Sequence, residues 1–110
     1  MKHSSLRKLA IIIVERMRNV LSIPKKVKIK LIIRSNVNVW GYCDMVEDNK
    51  YVICVARKHD SMREFVSTVC HEMVHVRQWC TNSWEGDGED EAYNLEYVYA
   101  DMIIKEKNIK

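Results

Sequence analysis

Residues His71-Glu72-Met73-Val74-His75 carry the pattern HExxH. Two histidines at i and i+4 of a helix lie on one face about a turn apart, so both imidazoles can reach one Zn²⁺ at ~2.0–2.1 Å. The glutamate beside the first histidine then stands next to the metal's open position. There Glu72 can act as general base on water that the ion has acidified toward a pKa of ~7. A third protein ligand is required, and the only other histidines, His3 and His59, lie upstream. Carboxylates are plentiful downstream: Glu85, Asp87, Glu89, Asp90, Glu91, Glu96 and Asp101 arrive without one Lys or Arg between Arg77 and Lys105. Crowding that many carboxylates raises a self-repulsion that a bound dication would relieve.

The motif has to sit on a helix, and the surrounding pattern supplies one. Met62, Phe65, Val66, Val69, Met73 and Val76 recur at helical spacing from Asp60 or Ser61 to about Trp79. His71 and His75 lie opposite that stripe, alongside Glu64, Ser67, Thr68 and Gln78, so one face packs and the other looks into a cleft. Trp84-Glu85-Gly86-Asp87-Gly88 breaks the pattern, and Ala92, Leu95, Tyr99, Met102 and Ile103 resume it, with Lys105, Lys107 and Lys110 suiting a helix C-terminus. Upstream, Leu6, Leu9, Ala10, Ile13, Met17, Val20 and Leu21 predict a first helix, capped by Ser4 or Ser5 and closed by Pro24. Val27, Ile29, Leu31 and Ile33 alternate with Lys26, Lys28, Lys30 and Ile32, the period of a half-buried strand. Two more extended runs follow, Val39 to Met45 and Lys50 to Arg57, separated by Glu47-Asp48-Asn49. The expected architecture is α+β in the order α-β-β-β-α-α, with a three-stranded antiparallel meander. A symmetric turn would set Cys43 opposite Cys54, although a plain pair of thiols is the preferred reading. Trp40, Tyr42 and Tyr51 read as sheet decoration rather than pocket walls.

The HExxH segment followed by Glu89-Asp90-Glu91-Ala92-Tyr93, which opens the last helix, resembles the gluzincin class of zinc metallopeptidases. The small size and element order are similar to the minigluzincins, minimal members that include small phage-type and prokaryotic proteins. The motif resemblance covers about residues 71–93. It implies a minimal zincin-like domain whose sheet packs on the HExxH helix, one Zn²⁺ per chain, and zinc metalloendopeptidase activity on a peptide or protein substrate. It also implies two histidine ligands, His71 and His75, a glutamate ligand from a following helix, and Glu72 as the catalytic base. In the family that glutamate opens an ExxA pattern; Glu89 with Ala92 matches it, and Glu91 is the reserve. Tyr93 stands where some members carry an acidic residue behind the ligand. By the same analogy the substrate pairs along a sheet edge supplied by Val39–Met45 or Lys50–Arg57. Tyr93, Tyr97 and Arg77 are the available donors for a developing oxyanion. SprT-like proteases carry a third histidine ligand after HExxH, and this chain has none to offer.

The 110 residues suit one domain, 1–110, and with 47% hydrophobic and 30% charged residues they suit a packed globule. The longest apolar run, Leu9 to Val14, is far short of the ~20 residues that span a bilayer, and no cleavage site follows it. A cytoplasmic protein is expected, in the host cytoplasm if the chain is viral. The four cysteines form no CxxC pair and read as thiols. Residues 1–34 carry ten Lys/Arg against one Glu, a surplus of nine positive charges, so the net +3 leaves the remainder six negative. That basic third admits a second class of function, a nucleic-acid or partner-binding module, but Lys26, Lys28 and Lys30 fit the wet face of a strand better. A third class is a non-catalytic domain with a closed structural zinc, for which Cys80 would be the fourth ligand.

Overall fold

The computed structural model describes residues 3–109, and Lys110 lies outside them. The elements are α1 (His3–Val20), β1 (Lys28–Arg34), β2 (Gly41–Glu47), β3 (Lys50–Ala56), α2 (Met62–Thr81) and α3 (Glu89–Lys107). They form an α+β structure of three helices and one three-stranded sheet. None of the helices among the described residues is long and apolar enough to cross a membrane.

The sheet corrects the expected meander. Its order is β1-β3-β2, with β3 antiparallel to β2 but parallel to β1. The cause lies in composition: Tyr51, Ile53, Cys54, Val55 and Ala56 are all buried, so β3 is covered on both faces and takes the centre. In β2 only Cys43 is buried, which suits an edge. The expected Cys43–Cys54 opposition also fails. Glu47 pairs with Lys50, but an irregularity between Met45 and Glu47 leaves Val46 as an extra residue, so Cys43 faces Ile53 and Tyr42 faces Cys54. All four cysteines are free thiols.

Leu6, Ala10, Ile13, Val14 and Met17 point from α1 into the core, against α2 and β1. Ser4 and Ser5 lie inside α1 rather than capping it, because the helix already includes His3. On β1, Leu31 and Ile33 face inward while Lys28 and Lys30 face water, as their alternation predicts. Several cations of the basic third have internal partners: Arg7 Nη1 donates to Leu31 O at 2.8 Å, Arg18 to Val27 O, and Arg16 pairs with Glu106 at 3.0 Å.

The sheet, α1 and α3 all pack on α2. Ser61 caps it, accepting from Glu64 N at 3.1 Å, and Asn82 ends it in the left-handed conformation. Every residue from Phe65 to Val76 is buried, including His71, Glu72 and His75, so the helix is covered on more than its apolar stripe. In α3, Ala92, Ala100 and Ile103 are buried, while Arg63 of α2 pairs with Asp101 at 2.8 Å and lies 4.4 Å over the Tyr97 ring.

Candidate metal centre

His71 and His75 project from the same side of α2, their ring centroids 4.9 Å apart and their planes at 80°. Helix α3 begins at Glu89, one residue past Gly88, and Asp87 Oδ1 accepts from Glu89 N at 2.9 Å to start the turn. That start places Glu89 Oε1 3.2 Å from His71 Nε2 and in contact with His75 Nε2. Their donor atoms all lie within 4.8 Å of one another, forming a group that could hold a metal ion. The donor set fits such an ion: two imidazole nitrogens and one carboxylate oxygen converge on one spot, and ligand atoms around a tetrahedral centre stand about 3.3 Å apart.

The group opens into a cavity of about 710 Å³. Glu64, Ser67 and Thr68 line it with the histidines, as the helical wheel places them, and from the other side Trp40, Gly41, Tyr42 and Cys43 of the edge strand and its approach close it. Trp40 and Tyr42 are therefore cavity walls rather than sheet decoration. Tyr51 is buried, its ring 6.3 Å from that of Trp79. Among the described residues none before Asn38 lines the cavity, so the described part of the basic third stays away from it.

Glu72 lines this cavity and is only 5% exposed. Burial, with Glu89 and Glu96 nearby, pushes its carboxyl up to about 8. Burial lowers the pKa of His71, against the opposing pull of Glu89. His71 Nδ1 is buried without a hydrogen bond, and Glu96 Oε2 is 3.5 Å from it, an ion-pair distance only. A proton on Nδ1 facing that carboxylate would leave Nε2 free to bind a metal.

The structure separates Glu89 from its reserve. Glu91 is turned toward α2, where Gln78 Nε2 donates to it at 2.8 Å and Arg77 Nη2 pairs with it at 2.8 Å. Arg77 is thereby occupied, and Tyr97 donates to the Glu64 carboxylate at 2.8 Å. Tyr93 alone of the three candidate donors stands at the group itself, its ring 4.9 Å from His71 and its pKa raised by the Glu89 carboxylate. Cys80 lies outside the group and donates to Arg77 O at 3.5 Å, so the structure does not bring it in as a fourth ligand.

Three participants escaped the sequence reading. Gly41 lets the edge strand approach α2, since a Cβ there would meet Thr68 Cγ2 at 2.7 Å and Glu72 Oε2 at 3.2 Å. His59 packs 5.1 Å from the Trp40 ring, its Nε2 3.0 Å from Thr68 Oγ1. Because the Thr68 hydroxyl donates to Glu64 O, it accepts from His59 Nε2, which makes His59 a prop for the cavity wall. Glu96 stands behind His71; its position seven residues after Glu89, on the same helical face, was the available signal. No protein-family model, curated protein or solved structure matches the chain.

Proposed function

We propose that the protein is a zinc-dependent metallopeptidase that hydrolyses peptide bonds, a minimal zincin-like domain of the gluzincin kind. The observation carrying this reading is the convergence of His71, His75 and Glu89 beside a buried carboxyl, Glu72, at the wall of an open cavity. Zinc bound by those three residues would supply Lewis acidity and lower the pKa of water. Glu72 accepts the proton of the attacking water and passes it to the departing amine. Burial raises the proton affinity of Glu72 and a bound dication would lower it, an opposition that suits a carboxyl required both to take and to return a proton. Tyr93 donates to the carbonyl oxygen as negative charge develops there. The edge strand β2 offers unpaired backbone groups beside the site, so an extended peptide can add to it; β3, paired on both sides, cannot serve.

The test is Glu72→Gln in the full chain. Turnover of an unfolded protein substrate should fall by ~10²–10⁴ while zinc content stays near one per chain. Equal turnover in the variant would remove Glu72 from the chemistry, and a metal-free purified protein that fails to take up zinc would remove the reading altogether.

A further inference from the structure

Gln78 is wholly buried, three residues past His75 on α2. A primary amide in that position must use its polar atoms or forfeit their hydration. Its Nε2 donates to Gly88 O at 2.9 Å and to Glu91 Oε1 at 2.8 Å, spending both amide protons on acceptors of α3 and its cap. The oxygen end is thereby aimed at His75, whose Nδ1 lies 2.9 Å from Oε1. An amide oxygen only accepts, so Nδ1 carries the proton and the neutral ring keeps its lone pair on Nε2, the nitrogen that meets Glu89. Gly88 is shaped to this amide: its φ is +81°, and a Cβ there would come within 2.9 Å of Gln78 Cδ. Glu91, the far anchor, is itself held by Arg77.

We propose that Gln78 is a positioning residue that latches the glutamate-bearing helix to the histidine-bearing helix and sets the His75 tautomer that presents Nε2 to a metal. Gly88 directly precedes Glu89, so one side chain fixes the ring of one ligand and the backbone origin of another. Glu91, a rival ligand by sequence, becomes part of the latch. This inference rests on the metal site of the proposed function and not on the hydrolysis assigned to it.

Two measurements on the full chain test it. In the metal-free wild type at about pH 8.5, above the ordinary range of a free imidazole, ¹⁵N-resolved NMR of the neutral ring should find the His75 proton on Nδ1, and in Gln78→Met it should move to Nε2. Zinc affinity, read by competition with a chromophoric chelator, should fall about 10–100-fold in Gln78→Met. It should fall also in Gln78→Glu, which keeps an acceptor for His75 but loses both donors and sets a second carboxylate against Glu91. Adding Glu91→Gln to Gln78→Glu restores a donor and should recover part of the loss. A proton on Nε2 of His75 in the wild type, or zinc affinity within threefold of wild type in Gln78→Met, overturns the latch. A wild type that binds zinc with the stated tautomer but cleaves no peptide refutes the peptidase and leaves the latch standing.

Discussion

Replacing Glu72 with Gln should stabilise the metal-free protein, by an amount that grows with pH. The Glu72 carboxyl is raised from an ordinary 4.5 to about 8, first by burial and then by Glu89 and Glu96. The folded state therefore holds this proton more tightly than the unfolded chain, and stability falls wherever the two differ in proton binding. The group's contribution is intact below pH 4.5 and is lost progressively as pH climbs to 8. At about 1.36 kcal/mol per pH unit, the deficit relative to the neutral amide is about 1 kcal/mol at pH 5.5, about 3 at pH 7 and about 5 at pH 9. Urea unfolding of chelator-treated wild type and variant at those three pH values reads it directly. With zinc bound the gap should narrow, because a dication beside the carboxylate favours its ionised form. A gap that stays constant from pH 5.5 to pH 9 would refute the burial argument for Glu72.

Glu89→Ala should reduce zinc affinity at least a hundredfold, whereas Glu91→Ala should cost no more than the tens-fold expected of a residue behind a ligand; calorimetric titration of both would reverse the ligand choice if Glu91→Ala proved the worse. Gly41→Ala should destabilise the fold by about 1–3 kcal/mol, since the added methyl meets Cys54 O at 3.0 Å as well as Thr68 and Glu72. A thermal midpoint unchanged by that substitution would show that the strand can retreat without cost. The cavity is lined by Asp60, Glu64, Glu72, Asp87, Glu89 and Glu96, with no Lys or Arg among the described residues that line it. Peptides bearing Lys or Arg around the scissile bond should thus be cleaved faster than their Asp or Glu counterparts, with the difference shrinking toward ~0.5 M salt; a preference for acidic peptides would contradict this.

The local features of this protein were legible in its sequence because each repeats with its own period. Apolar spacing placed α2 and α3, alternation placed β1, and the i, i+4 spacing put His71 and His75 on one face of a helix. Composition even held the clue to sheet order, as the unbroken Tyr51–Ala56 run is that of a strand covered on both sides. A single extra residue, Val46, was invisible to pattern yet displaced Cys43 from Cys54, since register shifts with every inserted residue. Between Glu89 and Glu91 the sequence offered a preference only through the ExxA resemblance of Glu89 with Ala92, and the tertiary structure supplies the physical distinction. Both sit in the first turn of α3 with like chemistry, and only the docking of that helix sends one to the histidines and the other to Gln78 and Arg77. Periodicity sets which face a residue occupies along its own element; what it meets there depends on where a second element, distant in sequence, is held.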